Sequence, residues 1–154
     1  MRVGLVVDSS CDLPRAFIDE HRIEILPITI RVDDDELVDT HDEAAALSFY
    51  RDQIGEKGHR AESVAFSTEQ IRELFLGRLV TQYDFVFCQT VTRSRSPIFE
   101  NATKASFSIL SEYHQARRDA GVDGPFALRV MKVRRATTSS PMRMEKSSSA
   151  RCAA

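Results

Sequence analysis

The chain has 154 residues with 21 lysine and arginine and 23 aspartate and glutamate side chains, a net charge of −2 and 42% hydrophobic residues. That is enough for one domain with an ordinary core; it excludes a collagen-like or wholly disordered chain and carries no gross mark of nucleic-acid binding. No apolar run approaches the roughly 18 to 20 residues that span a bilayer, and Met1-Arg2 leads straight into a strand-like segment rather than a signal peptide, so a cytoplasmic protein is expected. Cys11, Cys88 and Cys152 have no paired spacing and indicate neither a disulfide framework nor a zinc site.

In chain order, Val3-Gly4-Leu5-Val6-Val7 is apolar on both faces, the pattern of a central strand covered on each side. It runs into Asp8-Ser9-Ser10-Cys11-Asp12, where Asp12 can cap a short helix that has Pro14 in its first turn and Phe17 and Ile18 on its buried side. Ile23 to Ile30 reads as one strand, placed at an edge or a bulge by Pro27, which has no N–H for a ladder. Asp33-Asp34-Asp35-Glu36 reads as a solvated turn. Thr40 and Glu43 fit a capping box ahead of Ala46, Leu47, Phe49, Tyr50 and Ile54, a helix stopped by Gly55 and Gly58. Ser67 and Gln70 repeat the device ahead of Ile71, Leu74, Phe75 and Leu79. Asp84 to Gln89 reads as another buried strand, a long helix is expected from about Pro97 to Arg118, and Phe126 to Met131 reads as a last strand. This alternation predicts an α/β domain, an open, mostly parallel sheet with helices on both faces, over residues 1–131.

The composition changes after Met131. The first 131 residues carry 15 basic and 22 acidic groups, and the last 23 carry 6 and 1. Residues 132–154 have seven Ser or Thr, no aromatic residue and no apolar period, so they are expected to form a solvated basic tail.

Ligands of open α/β sheets bind outside the carboxyl ends of the strands, here the loops after Val7, after His59 and after Gln89. These loops hold Asp8, Ser9, Ser10 and Asp12; Ser63 and Ser67; and Thr90, Thr92, Arg93, Ser94, Arg95 and Ser96. Hydroxyls and unpaired helix N–H groups suit a carboxylate or phosphate. Enzymatic alternatives are a phosphatase with Asp8 as nucleophile, although Ser10 stands where a second aspartate is wanted, or an acyl hydrolase pairing a loop serine with His21, His41, His59 or His114. No glycine-rich phosphate loop and no metal-ligand spacing occurs, so neither a cofactor nor a metal is expected.

VGLVVDSSCDLP at residues 3 to 14 and ILPITIRVDDDELVDT at residues 25 to 40 resemble the start of DegV family proteins, through Asp8, Ser9, Leu13, Pro14, Pro27 and Asp39. The resemblance continues through residues 61 to 70 and 90 to 105. It implies the amino-terminal domain of a two-domain, non-enzymatic protein that binds a long-chain fatty acid by its carboxylate and, in some members, presents it to a fatty-acid kinase. By this resemblance Ser63 and Ser96 hold the carboxylate, and Asp8, Ser9, Ser10, Thr92 and Arg93 shape the adjoining loops. Glu62 replaces the usual threonine, and Ser96-Pro97-Ile98 replaces Ser-Gly-Thr. The family's second domain, which covers the acyl chain, is not recognisable after Lys132, where the Ser/Arg-rich tail reads as out of frame. Weakened lipid binding is expected as a result, with self-association through the exposed cleft surface as the alternative role.

Overall fold

The computed structural model describes residues 1–53, 61–91 and 96–133. The chain forms β1 (Val3–Asp8), α1 (Arg15–Glu20), β2 (Glu24–Leu26), β3 (Ile28–Val32), β4 (Asp35–Asp39) and α2 (Glu43–Gln53). It continues with β5 (Ala61–Ala65), α3 (Thr68–Leu74), a single π-turn (Phe75–Leu79), α4 (Val80–Gln82) and β6 (Phe85–Thr90). Last come α5 (Ile98–Ser108), a 3-10 turn (Ile109–Ser111), α6 (Tyr113–Asp119) and β7 (Ala127–Lys132).

Two sheets share these strands. β2-β1-β6-β7 form a parallel sheet, as expected from the βαβ pattern, and β4-β3-β5 form an antiparallel one that the sequence reading did not foresee. The branch point is Pro27. A proline cannot donate to a ladder, so the run that reads as one strand is split: Leu26 ends β2 in the first sheet and Ile28 begins β3 in the second. The acidic run is only half a turn. Asp33, with φ +51, turns the chain, and Asp35 and Glu36 already belong to β4, so the segment is a hairpin arm.

The core lies on one face of the parallel sheet. Val6, Val86 and Cys88 point to the same side and are fully buried against Ile71, Phe75, Leu79, Ile98, Ala102 and Ala105 of α3, the π-turn and α5. The expected Ser67–Gln70 capping box is present with both of its reciprocal bonds, which fixes where α3 starts and hence which residues face inward. Gly4 is required by a close approach, since a Cβ there would lie 2.7 Å from the Tyr83 ring. On the other face α1 covers one end only, with Ile18 and Ile23 against Val7.

Three helix boundaries differ from expectation. Pro14, not Asp12, precedes α1, without a side-chain cap, and Phe17 on that helix is 43% exposed, leaving Ile18 as its buried residue. Asp42, not Thr40, caps α2 by accepting from the N–H groups of Ala44 at 3.0 Å and Ala45 at 3.1 Å. The glycines expected to end α2 lie outside the described residues. The long helix is broken after Ser108, where Thr103, Ser106 and Ser108 each turn a hydroxyl back onto a carbonyl of the preceding turn, a pattern that bends helices.

Arg117 closes the amino ends of the strands. It is 2% exposed and donates to the carbonyls of Val80, Tyr83 and Asp123 and to Asp84 Oδ1 at 3.0 Å. Asp84 also accepts from the Arg2 guanidinium and the Arg2 backbone N–H, and these bonds hold its carboxyl well below the usual carboxylate range.

Candidate functional site at the carboxyl ends of the strands

In the parallel sheet β1 connects leftward to β2 and the later strands extend rightward to β6 and β7, so the direction of winding reverses between β1 and β6. A crevice at such a reversal is where open α/β sheets bind ligands. Asp8 ends β1 there, 3% exposed. One of its carboxylate oxygens accepts from the Ser10 N–H at 3.1 Å and from the Ser10 hydroxyl; the other accepts from the Val91 N–H at 2.5 Å, just past the end of β6. Both oxygens are thus spent on tying the two loops together. That makes Asp8 a clamp across the crevice and leaves it badly set to attack a substrate.

Ser9 performs the corresponding task toward the second sheet. Its N–H donates to Leu26 O at 3.0 Å and its hydroxyl oxygen accepts from the Ile28 N–H at 3.2 Å, so one residue satisfies the backbone on either side of Pro27. The sheet switch and the loop after β1 are therefore one construction. His41, at φ +65, lies over the same loop with Nδ1 3.2 Å from Ser9 O and Nε2 2.7 Å from Leu13 O, while its N–H donates to Asp39 Oδ1. The sequence reading weighed His41 as a partner for a loop serine and as a histidine without ligand spacing, not as a brace for the loop after β1. Nothing in the local sequence marks its role, which depends on a contact across 28 to 32 residues.

The hydroxyl protons separate the candidate serines. Ser10 spends its proton on Asp8. Ser9 Oγ and Ser96 Oγ act as acceptors, the latter from the Ile98 N–H at 3.3 Å at the start of α5, and among the described residues neither spends its own proton. Pro97, lacking an N–H, occupies the cap position itself. Ser63 lies in the middle of β5 rather than on a loop, exposed and without a hydrogen-bond partner among the described residues. No hydrogen bond joins it to Ser96. The elements carrying the two are linked through Asn101 of α5, whose Nδ2 donates to Phe66 O at 2.8 Å just beyond β5. Thr92 and Arg93 lie outside the described residues, as do Ser94 and Arg95.

Glu62 is turned away from the crevice. Neighbouring strand residues point to opposite faces, and Glu62 shares the outer face of the small sheet with Arg31, which meets Glu62 at 3.2 Å and Glu36 at 2.6 Å. Ser63 is on the inner face with Ile30 and Val32. The carboxylate that replaces the expected threonine is thus paired with a cation on the far side of the strand from Ser63.

An anion is also steered by what surrounds the loop. A cleft of about 480 Å³ beside it is lined by Ser9, Asp12, Leu13, Asp39, His41 and Asp42, among others. Its carboxylates repel a negative head group. Nearby thiols are not poised for chemistry: burial pushes Cys88 up to about 12 and raises Cys11 as well. Among the described residues no three His, Cys, Asp or Glu side chains gather to hold a metal ion, and no helix is long and apolar enough to cross a membrane.

Comparison with known proteins agrees with this architecture. The model of the family described as "Uncharacterised protein, DegV family" matches residues 2–127. The chain belongs to the DegV family. It is 53% identical over 131 residues to a DegV domain-containing protein of Xanthomonas campestris pv. campestris, a match taking in 85% of this chain and 42% of that protein. The chain therefore spans less than half the length of the curated relatives it matches. Among solved structures, a DegV lipid-binding protein of Thermotoga maritima shares the fold with TM-score 0.65 and 22% identity, over 86% of this chain and 43% of that one. The fatty acid kinase (Fak) B3 protein of Streptococcus pneumoniae, loaded with linoleic acid, aligns with TM-score 0.58 and 19% identity, over 85% of this chain and 41% of that one. The first is named as a lipid-binding protein, and the second was solved with linoleic acid.

Proposed function

We propose that this chain binds a long-chain fatty acid non-covalently, with the carboxylate held by the hydroxyls of Ser96 and Ser63 at the crevice between β1 and β6. The observation that carries the reading is the hydroxyl accounting among the described residues: the Ser96 and Ser63 protons have no acceptor there, while Asp8 and Ser10 are consumed in holding the loops. Ser9 adds a third hydroxyl proton at the loop, and Thr92 and Arg93 are assigned to its rim by family likeness alone. A carboxylate accepting from these groups gains charge-assisted hydrogen bonds, shorter and stronger than neutral ones.

In this reading the protein is a cytoplasmic acyl carrier that hands its ligand to a fatty-acid kinase, and no residue of it is catalytic. Each enclosed methylene adds about 0.8 kcal/mol, so affinity depends on how much of the acyl chain is covered. The 131 matched residues make up 42% of the length of the curated relative.

The test is Ser96→Ala in the full chain, titrated with a long-chain fatty acid by isothermal calorimetry. Losing a hydrogen bond to a charged group costs about 1.5–3 kcal/mol, which is about a 10- to 150-fold weaker Kd. An unchanged Kd removes Ser96 from the site, and the same holds for Ser63→Ala.

A further inference from the structure

The imidazole of His41 stands between two oxygens that can only accept hydrogen bonds. Its Nδ1 is 3.2 Å from Ser9 O and its Nε2 is 2.7 Å from Leu13 O. A neutral ring has one N–H and one lone pair, so it bonds one of these carbonyls and turns a lone pair toward the other; the imidazolium donates to both. The backbone fixes the ring's aim. His41 sits at φ +65, and its N–H donates to Asp39 Oδ1 at 2.8 Å. A left-handed conformation at a residue other than glycine is strained, and it persists where the surroundings over-determine it. The two carbonyls are the two ends of the loop after β1, and between them the Cys11 N–H donates to Asp8 O at 3.0 Å.

The charged groups around the ring come from each neighbouring element. Asp12 of the loop, Arg15 of α1, Asp39 of β4, and Asp42 and Glu43 at the start of α2 line the same cleft, with Asp8 behind the loop at the end of β1. Arg15 is paired with Asp19 at 3.0 Å, and Asp42 caps α2.

We infer that His41 is a positioning residue for the carboxylate site: its doubly protonated ring braces both ends of the loop after β1, and loss of one ring proton releases the Ser9 end. The inference rests on the function proposed above, in which Ser9 offers a hydroxyl proton to the ligand. Leu13 O, at the shorter distance, keeps the remaining N–H, so Ser9 is the end that comes free. The same residue joins the two sheets, through its N–H to Leu26 O and its hydroxyl oxygen to the Ile28 N–H, so a change at its carbonyl reaches its hydroxyl. Ligand affinity is therefore highest with the ring charged, and it falls as pH rises through the range in which histidine side chains change charge, about pH 5 to 8.

The test is a pH titration of the full 154-residue chain by NMR, following the His41 ring nitrogens and the carbonyl carbons of Ser9 and Leu13. Both ring nitrogens are expected to carry a proton at about pH 5, and Nδ1 to lose its own toward about pH 8. The Ser9 carbonyl signal is expected to move with that loss, and much further than the Leu13 signal. In parallel, Kd for a long-chain fatty acid below its micelle concentration is measured at about pH 6 and about pH 8 for this chain and for His41→Asn, since asparagine tolerates positive φ. The parent is expected to weaken about 5-fold more than the variant across that interval, the worth of one hydrogen bond. The ligand's own pH dependence is common to both proteins and cancels.

A ring that holds a single proton across the whole range, or a Ser9 carbonyl that does not titrate with it, overturns the inference. Equal pH dependence of Kd in parent and variant also overturns it, and leaves the carboxylate site standing. Absence of fatty-acid binding at both pH values overturns the function proposed above and, with it, the role given to the ring. The carbonyl titration uses the parent alone, so it decides the matter even where His41→Asn fails to fold.

Discussion

The parallel and the antiparallel sheet are built on opposite terms. The parallel sheet sets fully buried Val6, Val86 and Cys88 against α3, the π-turn and α5, and its hydrogen-bonded ends are tied by buried polar groups, Asp8 at one end and Arg117 at the other. The antiparallel sheet buries Ile30 and Val32 on one face and leaves the other to water, with Arg31 bridging Glu36 and Glu62 on the surface. The difference teaches where rigidity is placed. The loops after β1 and β6, where a ligand is proposed, belong to the sheet with the dense core, and Ser63 is carried on the lighter one, held to the first through Ser9, Ile28 and Asn101.

If that division holds, the largest losses of stability come from the helical layer and its polar lock. Phe75→Ala, at a fully buried position, is expected to cost about 3–5 kcal/mol in urea unfolding. Arg117→Ala is expected to cost a similar amount, about 3–5 kcal/mol, because it leaves the carbonyls of Val80, Tyr83 and Asp123 without their donor and Asp84 without one of its cations. A cost below 1 kcal/mol for both would erase the contrast. Gly4→Ala, which drives a Cβ to 2.7 Å from the Tyr83 ring, is expected to cost about 1–3 kcal/mol by the same measurement.

Ser67→Ala removes one half of a capping box and is expected to cost about 1 kcal/mol. Acid sharpens the comparison from the other side. Asp84 is depressed from an ordinary 3.8, so the stability it contributes is complete above that value and is lost as pH falls below it toward the folded-state value. Thermal midpoints recorded between pH 6 and pH 2 should fall less steeply for Asp84→Asn than for the parent. The smallest effect belongs to the antiparallel sheet: Arg31→Ala, with its guanidinium 44% exposed, is expected to lower the thermal midpoint less than any variant above, and less again in high salt.

How much of this was legible in the sequence follows from the range of the forces involved. The Ser67–Gln70 cap, the buried run around Val86 and the last strand are local patterns, and they stand where periodicity puts them. Pro27 was legible as the mark of an edge strand or a bulge but not as a change of sheet, because that outcome depends on Ser9, 19 residues away, supplying the acceptor for Ile28. The β4 strand was hidden by its acidic composition, since Asp35 and Glu36 are poor strand formers tolerated on a water-facing edge. Of the site, Ser96 at the start of α5 was readable from Ser-Pro ahead of a helix. The clamp from Asp8 to Val91 spans 83 residues and the position of His41 spans 28 to 32, and no local pattern encodes either.

The central claim is that a carboxylate sits at the crevice between β1 and β6, donated to by Ser96 and Ser63. It is tested most directly by amide NMR of the full chain titrated with a long-chain fatty acid below its micelle concentration. The account predicts that the shifts concentrate on Ser9, Ser63, Val91 and Ile98 and collapse in Ser96→Ala. Shifts concentrated on the acidic cleft of Asp12, Asp39 and His41, or on Leu5 and Phe87 of the parallel sheet, would contradict it.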